Sequence, residues 1–108
     1  MNSKGHEILS ELKTNLLSLL GKELNEIILF GSHAHNKAAK DSDIDILIIL
    51  EKHYDWKKKR TIRDICYDIG LKYDVLIDSK IISVYELNNT PKGIHPLYKD
   101  AINKGIHA

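Results

Sequence analysis

The fold is decided by one stretch, residues 24–50, which reads LNEIILFGSHAHNKAAKDSDIDILIIL. Two runs of large or β-branched apolar residues, 24–30 and 43–50, have the length of strands and are bounded by Gly, Ser or Asp. The polar, alanine-containing segment between them predicts a short helix over 33–39. The stretch therefore predicts a strand, a Gly31-Ser32 turn, a short helix and a second strand.

Polar residues at the two inner ends of these strands indicate a binding site. Asp43 and Asp45 lie two apart in an extended segment, which places both side chains on one face. Two neighbouring carboxylates repel each other unless a cation neutralises them. Gly31 lets the backbone approach a ligand closely, and Ser32 can cap a helix whose free N–H groups suit a phosphate. The pattern favours a metal–nucleotide complex, although Asp and Ser at such boundaries also make ordinary turns and caps.

The motif resembles a known signature. Gly31-Ser32, ten residues, and then Asp43-x-Asp45 is similar to the pattern of the DNA polymerase β-type nucleotidyltransferase superfamily. The length resembles its smallest branch, the minimal nucleotidyltransferase (MNT) domain, over residues 5–90. The resemblance implies an α/β (α+β) fold with a small mixed sheet of about three strands and helices packed on it. MNT domains are often encoded beside HEPN-domain proteins as toxin–antitoxin pairs.

The segment after Gly-Ser departs from the family pattern. The family usually has a basic residue, Ala, a second basic residue and Gly, whereas this chain has His33-Ala34-His35-Asn36. Imidazoles are charged only part of the time near neutral pH. We therefore expect an intact metal site and an altered phosphate affinity or substrate choice.

A third carboxylate is expected on a third strand, predicted over residues 71–77. A predicted helix, residues 55–69, joins it to the second strand, as in a right-handed crossover between parallel strands. Parallel strands start at the same edge of a sheet, so Asp74 is predicted to lie beside the two aspartates of the second strand. The resemblance matches its third carboxylate to Asp74 as well. Asp78 is predicted to lie at the opposite end of the sheet.

The resemblance implies a Mg²⁺-dependent transfer of a nucleoside monophosphate, most directly AMP from ATP, to a hydroxyl such as a tyrosine on a HEPN-domain partner. Three carboxylates are implied as ligands of two Mg²⁺ ions, the last also as general base: Asp43, Asp45 and Asp74. Three further residues are implied in binding the triphosphate: Gly31, Ser32 and His33.

The remaining elements are predicted from apolar periodicity and from Gly and Pro positions. Helices are expected at 3–20, at 55–69 with Gly70 as the stop, after Ser79, and from Pro96 to Gly105, with a loop at 88–93 and a mobile end at 106–108. The chain is predicted to be one domain, residues 1–108, with a core at 5–90 and a C-terminal helical extension at 91–108.

Composition limits the remaining choices. With 108 residues and a net charge of +1, the chain suits one domain, and nucleic acid is an unlikely partner. The single cysteine, Cys66, excludes an internal disulfide and is expected to be an inert core thiol. No signal peptide or membrane-length apolar run is present, which favours the cytoplasm and no membrane contact. Lacking an acceptor-binding domain, the chain is expected to act on a protein or with a partner.

Two other functions remain open. A non-catalytic antitoxin could neutralise a HEPN ribonuclease by docking alone, and the departures at His33 and Asn36 favour it. An RNA-binding accessory protein could use the basic helix segment Lys57–Arg63, although such a run is more often a solvated face. Exposed Trp56 would be a partner contact, and a buried one a helix-start anchor.

Overall fold

The computed structural model describes residues 3–31 and 43–108, and the predicted short helix lies outside these ranges. The described chain forms four α-helices and four β-strands. The helices are α1 Ser3–Leu20, α2 Trp56–Tyr73, α3 Val84–Asn89 and α4 Pro96–Lys104. The strands are β1 Leu24–Phe30, β2 Ile44–Leu50, β3 Ile77–Ser83 and β4 Ile106–His107.

The four strands form one mixed sheet in the order β3-β2-β1-β4. β2 pairs antiparallel with β1 and parallel with β3, so the predicted crossover and the α+β class are confirmed. β4 adds a strand that the sequence did not predict. It pairs with β1, and the N–H of Ala108 donates to the carbonyl of Ile27 at 2.9 Å. The prediction of a mobile end was therefore wrong, because a two-residue strand has too few side chains to show a period.

The sheet is buried on both faces. One face packs against α1 and α2 through residues such as Ile46 and Ile48, and the other against α3 and α4 through Leu47 and Ile49. Fully burying one such side chain contributes about 1.5–3 kcal/mol. Burial of alternate residues on opposite faces explains why β2 is a continuous apolar run rather than an alternating one.

The end of α2 and the start of β3 both lie later in the chain than predicted. Gly70 was predicted to stop the helix, but α2 continues for three more residues and Asp74 closes it in a left-handed conformation with φ of 56°. Gly70 is needed for packing, since a Cβ there would lie 2.7 Å from the carbonyl oxygen of Val75. The third strand consequently begins at Ile77 and not at residue 71.

Cys66 lies in the core on the inner side of α2. Burial raises the pKa of its thiol to about 11, so it stays protonated near neutral pH, as expected for an inert core thiol. None of the helices in the described ranges is both long and apolar enough to cross a membrane.

Candidate functional site

Three neighbouring strands place side chains next to one another at one edge of the sheet. Phe30, the last residue of β1, pairs with Asp45 of β2, and Asp45 pairs in turn with Asp78 of β3. Adjacent strands lie about 4.8 Å apart. The two carboxylates therefore start from neighbouring backbone positions.

The alternation of side chains shows which face carries them. Leu47 lies two residues after Asp45 in β2, and Ile82 lies four residues after Asp78 in β3, so each points to the same face as its aspartate. Both apolar residues belong to the cluster that includes Ala101 of α4. Asp45 and Asp78 are thus on the α4 side of the sheet.

A cleft of about 620 Å³ opens between this edge of the sheet and α4. We call it the α4 cleft. Asp45 and Asp78 line it from the sheet, Gly31 from the end of β1, and Asp100 and Lys104 from α4. Its size is within the range of small-molecule sites.

Gly31 makes a close backbone approach to the Asp45 carboxylate, whereas its predicted approach to a ligand stays a prediction. Its φ of 77° is in the left-handed region, which favours glycine. A Cβ at this position would lie 2.4 Å from Oδ2 of Asp45. The turn after β1 thus packs its backbone against the carboxylate, and any side chain would displace one of them.

A second depression borders the same edge. This β3 groove, about 690 Å³ in volume, runs between α2 and the outer edge of β3 and is lined by Asp43, Asp74 and Asp78 among others. Asp78 borders both the α4 cleft and the β3 groove. The structure therefore brings Asp45 together with Asp78 on one side and Asp43 together with Asp78 on the other.

The predicted place of Asp74 on the third strand was wrong, although Asp74 lines the β3 groove together with Asp43. Asp74 is the exposed residue that ends α2, and its backbone N–H donates to the carbonyls of that helix. It lies outside the sheet because α2 takes up the first part of the predicted strand. Asp78, which was predicted to lie at the far end of the sheet, is instead the residue beside Asp45.

A signal in the sequence could have located Asp78. Ser83-x-x-Glu86 forms a capping box at the start of α3: Ser83 Oγ accepts from the Glu86 N–H, and the Glu86 carboxylate accepts from the Ser83 N–H. This pattern marks a helix start. Applied to the sequence, it moves the end of the third strand to Ser83, so that Asp78 lies within a strand of ordinary length and not at its far end.

Two lysines bring positive charge to the α4 cleft. Lys80 Nζ lies 3.3 Å from Asp78 Oδ1, and Lys104 Nζ lies 4.0 Å from Asp100 Oδ1. All four side chains are substantially exposed, so these pairs add little stability. Cations beside carboxylates suit a ligand that is itself an anion bound with a metal cation. The sequence prediction named neither lysine.

The donor set fits Mg²⁺ only in company with a phosphate ligand. Among the described residues, no group of three or more His, Cys, Asp or Glu side chains is arranged to hold a metal. Mg²⁺ usually binds through one or two carboxylates together with substrate phosphates and water. Asp45 and Asp78 meet that requirement. Ser32 and His33, predicted to bind the phosphates, lie outside the described residues.

The start of the basic segment, residues 57–60, lies at the other end of the molecule, whereas Arg63 lines the β3 groove. α2 runs back along the sheet between parallel strands, so Trp56 at its start is remote from Asp74 at its end. Lys58 of this segment pairs with Glu23 at 2.7 Å. Trp56 is 67% exposed, and Lys57 Nζ lies 5.7 Å from its ring centroid. Trp56 is thus not the buried helix-start anchor that the sequence left open.

A family model described as "Nucleotidyltransferase domain" matches residues 9–105. The chain is also 38% identical over 71 residues to MJ0141 of Methanocaldococcus jannaschii, which is provisionally named a protein adenylyltransferase. That alignment covers 66% of this chain and 72% of the relative.

Two crystal structures share the fold. One is described as a toxin–antitoxin with AMP-PNP and matches with a TM-score of 0.58 and 20% identity, covering 89% of this chain and 68% of the other. The second is a variant of the toxin–antitoxin pair MntA-HpeT, with a TM-score of 0.58 and 17% identity over 99% and 72% of the two chains. At these identities the likeness concerns the fold.

Proposed function

Because the chain belongs to the nucleotidyltransferase domain family, we propose that it transfers AMP from ATP to a hydroxyl on a partner protein in a Mg²⁺-dependent reaction. The family membership confirms the sequence prediction of a nucleotidyltransferase. One observation carries the proposal for the site: Asp45 and Asp78 stand side by side at the sheet edge, against the turn at Gly31. We assign the role of the third carboxylate to Asp78, in place of Asp74.

The residues of the α4 cleft, together with Asp43 of the adjoining β3 groove, account for nucleotide binding. Asp43, Asp45 and Asp78 would hold Mg²⁺ with the triphosphate, and Lys80 and Lys104 offset the charge of its phosphates. When bound, Mg²⁺ stabilises negative charge on the attacking and leaving oxygens. Gly31, Ser32 and His33 are the expected contacts to the terminal phosphates.

The chemical step is an in-line displacement at the α-phosphate. The acceptor hydroxyl oxygen forms a bond to the α-phosphorus while the bond from that phosphorus to the bridging oxygen breaks. Pyrophosphate leaves with the electron pair, and the hydroxyl proton passes to a carboxylate. Asp78 is the proposed general base, because it borders both the α4 cleft and the open β3 groove.

Substrate and partner are inferred from the similar proteins. The relative MJ0141 carries the name of a protein adenylyltransferase, and one structural neighbour is a toxin–antitoxin with AMP-PNP. We therefore propose ATP as the nucleotide, the toxin of a toxin–antitoxin pair as the acceptor, a HEPN-domain protein as that toxin, and the cytoplasm as the location.

Label transfer tests the proposal. The purified protein, Mg²⁺ and ATP labelled at the α or the γ phosphate are incubated with the co-encoded partner. We expect label from α only, and loss of labelling in Asp45→Asn. Asp68→Asn, on the outer face of α2, is the matched control and should keep full labelling. Label from γ, or full labelling by Asp45→Asn, would refute the proposal.

A docking antitoxin is the second candidate, favoured by His33 and Asn36 where the family has a basic residue and Gly. Such a protein would neutralise its toxin without chemistry. Docking in place of transfer would be established if the unchanged protein puts no label on the toxin and if neutralisation of the toxin survives Asp45→Asn.

A further inference from the structure

β3 forms one outer edge of the sheet, and its backbone groups alternate in direction. The N–H of Ile44 in β2 donates to the carbonyl of Leu76 at 2.9 Å. In a parallel pair, each such residue directs both its N–H and its C=O toward the same neighbour. Even-numbered positions of β3 therefore bond to β2. The odd-numbered positions, Ile77, Ser79 and Ile81, direct theirs away from the sheet.

The second half of this edge is already closed. Tyr54 Oη donates to the outward carbonyl of Ile81 at 3.1 Å, and the N–H of Ser83 donates to Glu86. No hydrogen bond within the described part of the chain reaches the outward N–H and C=O groups of Ile77 and Ser79. An open edge of this kind can accept another strand.

The open part of the edge forms one wall of the β3 groove. The opposite wall and the floor carry large apolar side chains that are well exposed: Tyr67 at 62%, Leu71 at 64% and Leu76 at 61%. Apolar side chains next to unpaired strand edges are the features by which proteins bind extended peptides.

The groove is acidic. Among the residues that the structure describes, four carboxylates line it against the one guanidinium of Arg63: Asp43, Asp64, Asp74 and Asp78. This charge favours a basic segment and opposes an acidic one. Asp78 lies at the end of the groove that borders the α4 cleft, so a bound segment would pass the proposed general base.

We propose that the β3 groove binds an extended, basic segment of the acceptor protein as an added strand on Ile77–Ser79, with its hydroxyl directed to Asp78. This inference rests on the proposed function. It assigns the recognition of the acceptor to the β3 groove, between α2 and β3, and not to the basic residues 57–60 at the start of α2.

Peptide binding tests the strand pairing without catalysis. The probe is a fluorescent nine-residue peptide of alternating valine and lysine with one central tyrosine, and its binding is followed by anisotropy in the absence of ATP. Ser79→Pro removes an outward N–H, and proline is tolerated on an edge strand. One lost hydrogen bond predicts an affinity about tenfold lower. Ser79→Ala keeps the N–H and should bind as the unchanged protein does.

Reversing the charge of one carboxylate in the groove tests the acidic lining, and this test does not depend on whether the proline variant folds. Asp64→Lys should weaken binding of the lysine peptide on the order of fivefold and strengthen binding of a matched glutamate peptide. Asp68→Lys is the control, because Asp68 is exposed one turn further along α2 and does not line the groove. Transfer of α-label to the peptide should rank the variants in the same order as their affinities for the peptide.

The outcomes separate the two proposals. If peptides bind as described but no label is transferred, the proposed function is refuted, whereas the proposed binding of peptides in the β3 groove is supported. Equal binding by all variants, or a preference for the glutamate peptide, would refute the groove. If Ser79→Pro changes the apparent mass in size-exclusion chromatography and leaves peptide binding unchanged, the edge pairs with a second copy of the chain, and the proposal is wrong.

Discussion

At the scale of single residues, Asp74 and Asp78 form a matched pair, since both line the β3 groove and only Asp78 stands beside Asp45. Asp78→Asn should reduce label transfer by a factor of about 10²–10⁴, the usual contribution of a general base. Asp74→Asn should keep most of the activity, and asparagine tolerates the left-handed conformation at this position.

Rates of α-label transfer by the two variants decide whether Asp78 or Asp74 is the third carboxylate, and their thermal midpoints of unfolding check that both variants fold. The reverse order of effects would return the role of third carboxylate to Asp74.

Gly31 is the second position where one atom decides the outcome. In Gly31→Ala, the new Cβ would meet Oδ2 of Asp45 at 2.4 Å, and the φ of 77° adds strain of about 1–2 kcal/mol. Displacing a catalytic group by about 1 Å can cost about 100-fold in rate. We expect such a fall in label transfer. Gly21→Ala is the control, because Gly21 has a φ of 54° with nothing within 4 Å of its Cβ position.

At the scale of elements, the end of α2 decides where β3 begins. Helix propensity favours Gly70→Ala by about 1 kcal/mol. The Cβ would nevertheless lie 2.7 Å from the Val75 carbonyl, and overpacking of this kind costs about 1–3 kcal/mol. We predict net destabilisation in urea unfolding. Asp68→Ala, at an exposed position of the same helix, is the control and should be neutral or stabilising. A Gly70→Ala variant that is more stable than the unchanged protein would contradict the prediction, because the turn after α2 would then have moved to make room for the Cβ.

The junction of β3 and α3 fixes the other end of that strand. Burial opposes ionisation of Glu86, but hydrogen bonds from Lys92 and from the Ser83 N–H, together with the nearby Tyr54 hydroxyl, outweigh it and lower the pKa of the carboxyl. The ionised Glu86 then holds the Ser83 N–H and Lys92 Nζ. This contact fixes the end of β3 at Ser83.

At the scale of the whole molecule, the C-terminal strand is held by a titrating contact. Both ring nitrogens of His107 face acceptors, the Glu26 carboxylate and the Ile102 carbonyl. Only the protonated ring donates from both nitrogens. The hydrogen bond to Glu26 raises the pKa of His107 above its ordinary value of 6.5.

Because the folded-state pKa is the higher one, this stabilisation is complete below about pH 6.5 and declines as the pH rises through the raised value. His107 is partly exposed, so the effect is less than about 1 kcal/mol. We expect His107→Gln to lower the free energy of unfolding more at pH 5.5 than at pH 8.5. An equal effect at both values would show that the contact does not titrate.

Much of the architecture could be predicted from the sequence, because the signals were local. The apolar runs of β1 and β2, the four-residue spacing in α1 and the proline that starts α4 each depend on neighbours along the chain. The same holds for Gly31 before Asp45, where the need for a residue without a side chain is visible in the motif itself. Family membership followed from these positions.

The sequence by itself thus determined the class of fold, the strand bearing Asp45 and the turn at Gly31. Only the tertiary structure decided which later aspartate joins Asp45. That choice depends on where α2 ends, three residues past Gly70 and with Asp74 as its cap, and on pairing between strands. β4 likewise exists only through its bonds to β1. Contacts between residues distant in the chain leave no local period, so no window of sequence could have shown them.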